Sequence, residues 1–325
     1  MNTNHNPFQL IFLLLNVCVV VITTLVVFTS LGLQYGFQEA IPNLLRHDLE
    51  NISSAEPSPI SPAPWFHPIW AAIFILQVLW SVYGVVSVFR KTAGVPVYTS
   101  PVLLSVTVLL FFIVACGFNI AWFILYDRKY TSTSCAFLFV SVVSGWISFF
   151  TATYHLASNV YRLRKSERRT EIYLVRLLVH NGMSAYAMWC WHVLCYNITV
   201  AAIHNSKIKL SPDVASIIGL SFIGAAQLTY LLVDVICLDR FTRYIVAPYI
   251  VTIPACLYRA HDWPSNAEDF ILLISLLSFA FFSLMVKCLF ITCRIVRPTS
   301  GGGEITFVSH TSPSTSEDRY LLKEK

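Results

Sequence analysis

An all-α bundle of membrane-spanning helices is the fold class that this sequence predicts, and three observations predict it. Charged residues make up 12% of the 325-residue chain and hydrophobic ones 56%, against roughly 25% charged in a soluble domain, so the apolar atoms cannot all be hidden inside one water-soluble globule. The apolar runs are continuous, whereas a membrane β-barrel is built from alternating segments of about ten residues. The basic residues divide unevenly between alternate loops.

The first run, 10–33, lacks a basic flank and exceeds the apolar core of roughly 7–15 residues found in a cleaved leader, so it reads as a retained helix. If it were removed, seven spans with an outside amino terminus would remain, and a seven-span receptor-like protein is the competing reading. A long polar loop, 34–65, leads into SPAPWFHPIWAAIFILQVLW at 61–80, where prolines and indoles crowd the mouth of the second span. The other strong spans are 66–89, 101–126, 133–157, 176–203, 212–238 and 268–293. Each is long enough to cross ~30 Å of hydrocarbon at ~1.5 Å per residue. YIVAPYIVTIPACLY, 244–258, is shorter and holds Pro248 and Pro254; neighbouring groups can satisfy the carbonyls a proline frees, and it reads as a kinked eighth span. Residues 1–9 form a short cytoplasmic start. The tail, 297–325, is rich in Gly, Ser and Thr, too polar to pack, and is expected to be disordered.

Charge sets the orientation. With an inside amino terminus, Arg90, Lys91, Arg162, Arg164, Lys165, Arg168, Arg169, Arg240, Arg243, Arg294 and Arg297 lie inside, eleven against the six of Arg46, Arg128, Lys129, Lys207, Lys209 and Arg259 outside. The positive-inside rule then places both termini in the cytoplasm. Asn51-Ile52-Ser53 is a glycosylation sequon in the long first loop, on the side where glycans are added. Plasma membrane and endomembrane both fit.

Signs of catalysis are thin. The nine cysteines show neither a disulfide framework nor zinc spacing, and His67, His155, His180, His192 and His204 are scattered without a metal-ligand motif. No catalytic or metal-binding residue is assigned, and no enzyme is expected. Asp234 and His155 fall near inner helix ends and Lys287 is placed to snorkel to the cytoplasmic surface, so no charged ladder of the kind a pump needs is expected. YRLRKSERR, 161–169, reads as an anchor to anionic lipid headgroups rather than a nucleic-acid patch.

What remains is aromatic and amide chemistry. Trp70, Phe74, Gln77, Ser81 and Gly84 share one face of the second span; Asn119 and Trp122 are neighbours in the third; Tyr186, Trp189, Val193 and Asn197 form a stripe in the fifth. An amide is costly to leave unpaired in hydrocarbon, so Gln77, Asn119 and Asn197 should face the bundle interior. There they either glue helices together or, with Trp70, Trp122, Tyr186 and Trp189, line a cavity for a flat hydrophobic molecule. Small-residue pairs, Ser141 with Gly145, Ser144 with Ser148, Ala215 with Gly219 and Ser221 with Ala225, predict close helix approach or a homodimer face.

Pro62, Ala63, Trp65, Ile69, Trp70, Ile73, Phe74 and Gln77 resemble the PAGY-x-FSIW-G-x-IY-x-x-Q opening of helix two in extended members of the translocator protein, or tryptophan-rich sensory protein (TspO/MBR), family. Asn119 and Trp122 are similar to its N-x-x-W, and Ser184, Tyr186, Trp189 and Asn197 to its S-x-Y-x-x-W followed by Asn. The resemblance covers residues 10–203 and continues weakly through three further helices at 204–296. It implies a five-helix bundle whose cavity takes tetrapyrroles, sterols or lipids, with the first loop folded over its mouth; the sequence itself requires no cofactor. Pro64, His67, Pro68 and Met188 depart from the family pattern, and Met188 in place of glycine is expected to shrink or reshape the cavity. In the tail, Glu317, Leu321 and Leu322 resemble an acidic dileucine signal read by endocytic adaptors.

Overall fold

The computed structural model describes residues 5–32, 58, 67–92, 94–204, 209–261 and 267–296. The expectations placed on Asn51, Trp65, Glu317, Leu321 and Leu322 lie outside the described residues.

Helix α1, Pro7–Gly32, is apolar almost throughout. Its buried face alternates Gln9, Leu13, Asn16, Val20, Thr23, Val27 and Ser30, steps of three and four that bring one side of the helix onto the bundle. The polar members join it to its neighbours. Gln9 Nε2 donates to the Leu104 carbonyl (2.9 Å), and Asn16 Nδ2 donates to Ser81 Oγ (3.1 Å) on α2, His67–Phe89. A methyl group at Gly84 of α2 would stand 3.1 Å from Leu13 Cδ2, so that glycine marks a close approach. The expected retained first helix is therefore a core element.

After α2 the chain makes a small hairpin, β1 Lys91–Thr92 against β2 Val95–Pro96, with Gly94 at φ 80° in the turn. Helix α3 spans Val106–Asp127, starting later than residue 101 because Ser105 caps it: its side chain accepts from the Val108 N–H. The next two helices are much longer than their apolar windows. Helix α4 is Thr131–Lys165, 35 residues, and α5 is Arg169–His204, 36 residues with a π-helical segment at Val175–His180. Hydropathy registers only the hydrocarbon-thick part of each. Helix α6, Pro212–Cys237, begins at the Ser211 cap and ends in a π-helical turn, Val233–Cys237. Then come α7, Asp239–Thr242, α8, Ala247–His261, and α9, Ala267–Val296.

Seven of these helices are long and apolar enough to cross a membrane. The expected eighth span is the 15-residue α8, with Pro254 inside it; at ~1.5 Å per residue it reaches ~22 Å and packs against α5 and α9. Helix α4 lies between α3 and α5, and its small residues serve that packing. Ser148 Oγ donates to the Val108 carbonyl (2.7 Å), and a methyl at Gly145 would meet the Tyr186 ring at 3.4 Å. The Ser221–Ala225 pair behaves differently: both are exposed on α6, and Ala225 borders the space between α4, α5 and α6.

One end of the bundle gathers the basic segments. His5 Nδ1 lies 3.1 Å from the Tyr98 hydroxyl, Arg162 Nη2 donates to Ser100 Oγ (3.2 Å), and Arg168 donates to the Ser100 carbonyl. The start of α1, the loop after α2 and the α4–α5 turn thus meet. Beneath them Glu171 is buried, with Arg90 Nη2 at 2.6 Å and the Tyr83 hydroxyl at 2.9 Å, which ties α5 to α2.

Candidate functional site

Trp70, Gln77, Asn119, Trp122, Tyr186, Trp189 and Asn197 are all buried, none more than 3% exposed. Alternate faces of α2, α3 and α5 turn them inward, but they form two layers rather than one ring. In one layer Gln77 Nε2 donates to the carbonyls of Ile73 and Gly182 (both 2.9 Å), while its Oε1 accepts from Trp80 Nε1 (2.8 Å). In the other, Asn197 Oδ1 accepts from Trp122 Nε1 (3.3 Å), and Asn197 Nδ2 caps the Val193 carbonyl (2.8 Å). Gly182 and Asn197 are about 22 Å apart along α5 at its helical rise. Between the layers the Tyr186 hydroxyl bonds Ala115 O (3.1 Å) and Ser141 Oγ (2.8 Å).

The rings meet one another directly. Trp70 stacks on Trp122 (centroids 5.8 Å, 17° between planes), meets Trp189 edge-on (5.6 Å, 88°) and touches Phe123 (5.4 Å). Such separations are direct aromatic contact. Asn119 Nδ2 reaches Cys190 Sγ (3.7 Å), and its Oδ1 finds no partner among the described residues. Gln77, Tyr186 and Asn197 therefore join helices. Gly182 is what permits this: a methyl there would meet Trp80 Cδ1 at 3.0 Å and Gln77 Oε1 at 3.8 Å. Gly182→Ala is expected to destabilise the protein by about 1–3 kcal/mol, read as a lowered midpoint of thermal unfolding in detergent.

Open space lies on the other side of α5. A cavity of about 420 Å³ runs between α4, α5 and α6, walled by Trp146, Phe150, Met188, Trp191, Phe222, Ala226 and Tyr230 among others. Helical spacing explains the division: Tyr186 and Trp189 point to the aromatic centre, whereas Met188 and Trp191 leave α5 on a different face. Met188 packs with Tyr230, Leu231 and Tyr249 and forms part of the chamber wall. The walls are largely apolar, with Thr229 among their residues; Trp191 and Tyr230 line the chamber with their rings, while Trp191 Nε1 and the Tyr230 hydroxyl are buried and have no hydrogen-bond partner among the described residues. Leaving such groups unsatisfied costs about 1–3 kcal/mol each. The alternating Trp189-Cys190-Trp191 triplet was the sequence signal for two indoles on separate faces.

Next to Tyr230 the structure holds a charged cluster. Lys287 does not snorkel; it is 2% exposed, and its Nζ lies 2.8 Å from both carboxylate oxygens of Asp234 and 3.0 Å from the Thr242 carbonyl. The Tyr249 hydroxyl donates to Asp234 Oδ2 (2.5 Å), and the Thr242 hydroxyl to Oδ1. A basic side chain inside a bundle holds there because its partner is buried with it, which ties α6, α7, α8 and α9 together.

The family model for TSPO-like protein matches residues 14–239, from within α1 to the first residue of α7. That stretch contains every residue of the aromatic centre and of the chamber. No curated protein and no solved structure matches the chain.

Proposed function

Because the chain belongs to the TSPO-like protein family and is an integral, multi-pass membrane protein, we propose that it binds a hydrophobic small molecule in the chamber between α4, α5 and α6. The observation that supports this reading is the largely apolar cavity walled by the rings of Trp146, Phe150, Trp191, Phe222 and Tyr230. A volume of about 420 Å³ falls in the range of small-molecule sites. The largely apolar lining favours a rigid apolar body, a sterol or similar lipid, over a tetrapyrrole with several charged groups. In this reading the protein is not an enzyme, both termini face the cytoplasm, and the packed centre around Trp70, Trp122 and Trp189 is the chamber's rigid support.

The test is titration of the purified full chain with a fluorescent sterol, read by energy transfer from tryptophan, with protoporphyrin as a second probe. Ala226→Phe, which fills the chamber, is expected to abolish saturable transfer. Trp122→Phe and Asn119→Leu should leave it intact. Binding lost with Trp122→Phe or Asn119→Leu but kept with Ala226→Phe would move the ligand to the aromatic centre and overturn the chamber.

A further inference from the structure

We propose that the chamber between α4, α5 and α6 opens sideways into the hydrocarbon and takes its ligand from the bilayer leaflet on the side of the α4–α5 turn, an inference that rests on the binding proposed above and adds its route and source. Helices α4 and α6 both pack on α5, which forms the floor, and, among the described residues, scarcely on each other. Trp146 of α4 and Tyr230 of α6 touch across the gap, with ring centroids 5.5 Å apart. To either side of that contact the rim is uncovered. Phe150, one turn beyond Trp146, is 37% exposed; Phe222, two turns before Tyr230, is 52% exposed; Ala225 and Thr229 between them on α6 are exposed as well.

These rim residues belong to the apolar spans of their helices, so the uncovered side meets acyl chains rather than water. An exposed phenyl ring is not penalised there, because lipid tails are as apolar as the ring. The same chains can enter the gap. A space of about 420 Å³ left empty would deprive its walls of dispersion contacts, so an acyl chain occupies it until a stiffer apolar molecule displaces the chain. Such a molecule is already dissolved in the bilayer when it meets the protein, since each buried methylene favours the hydrocarbon over water.

Depth names the leaflet. On α6 the walls run from Phe222 to Val233, roughly 16 Å at the helical rise. Half of a ~30 Å hydrocarbon core is about 15 Å, so the chamber is one leaflet deep. It is not centred on the helix: Phe222 stands near the middle of Pro212–Cys237, whereas Val233 lies in the last turns. Helix α7, which follows, packs on α4, and Asn181, near the start of α5, accepts from the Val246 and Ala247 N–H groups. The chamber end of α6 is therefore at the α4–α5 turn.

The experiment uses the full chain in phosphatidylcholine liposomes, with Trp65→Phe and Trp263→Phe to simplify the emission; Trp70, Trp80, Trp122 and Trp189 are buried in the bundle. Tryptophan quenching is read with phosphatidylcholine brominated in mid-chain and, separately, with aqueous iodide. Brominated lipid is expected to quench the parent, and Trp146→Phe with Trp191→Phe to remove most of that quenching. Ala226→Phe and saturation with cholesterol should each protect the two indoles, and the cholesterol arm needs no variant if Ala226→Phe fails to fold. Brominated lipid exchanged into one leaflet of orientation-sorted vesicles should quench from the side of the α4–α5 turn; quenching from the opposite leaflet alone would overturn the source. Quenching of these indoles by iodide in place of brominated lipid would put the mouth at water and overturn the lateral route, even with saturable sterol binding intact. Lipid quenching that neither cholesterol nor Ala226→Phe reduces would leave acyl chains outside the chamber and overturn it too. Lipid entry without saturable transfer to a fluorescent sterol would keep the lateral opening and refute the small-molecule reading instead.

Discussion

Lys287→Met is expected to destabilise the protein by about 3–5 kcal/mol, because it leaves the Asp234 carboxylate buried with no counter-charge. The ammonium contacts both carboxylate oxygens at 2.8 Å and also the Thr242 carbonyl, so one substitution removes three hydrogen bonds at a point joining α6, α7 and α9. Water cannot compensate at 2% exposure. The measurement is the unfolding midpoint in detergent, with Asp234→Leu/Lys287→Met as the second arm. The double variant carries no buried charge and should recover part of the loss. It should not recover all of it, since the Tyr249 and Thr242 hydroxyls then lose their acceptor. A Lys287→Met protein as stable as the parent would mean that the carboxylate is neutral or hydrated, and the cluster would not be the tie between the carboxyl-terminal helices.

That cluster also shows where sequence reading ends. Asp234 and Lys287 are 53 positions apart, and each alone looks like a charge near the end of a helix with water in reach; only the packing of α9 on α6 makes them partners. The seven long helices were legible because crossing hydrocarbon requires a run of apolar residues whatever the packing. The lengths of α4 and α5 were not, since their ends are polar and continue as helix beyond the apolar window. In the site, the burial of Gln77, Asn119 and Asn197 was legible from the cost of an exposed amide in lipid. Their partners were not: Gln77 bonds a backbone carbonyl 105 positions away, and no side-chain pattern announces a backbone acceptor. Met188 stands one residue before Trp189, and a step of one residue turns a helix by about 100°, which carries it to the chamber wall rather than to the aromatic centre. The recurrence of Gln9, Asn16, Thr23 and Ser30 every seven residues in an otherwise apolar helix was available in the sequence and names the buried face of α1.

Trp189→Ala is expected to cost about 3–5 kcal/mol of stability, the range for truncating a large aromatic in a filled core, and to do so equally with and without sterol. Trp189 is 0% exposed and meets Trp70 edge-on at 5.6 Å; Trp70 in turn stacks on Trp122, whose indole N–H holds Asn197. Removing the ring opens a void against side chains fixed on three helices, α2, α3 and α5, none of which can close it without breaking a hydrogen bond or a stack. The two readings of the centre diverge here. A space kept open for a ligand loses binding when its wall is cut and loses little stability in the empty protein. A space filled by its own rings loses stability first, and cutting it creates a cavity that was not there. Thermal unfolding of the ligand-free variant decides between them: a midpoint close to the parent's would make the centre a ligand site, and a large drop would make it the keel against which α5 holds Met188 and Trp191 toward the chamber.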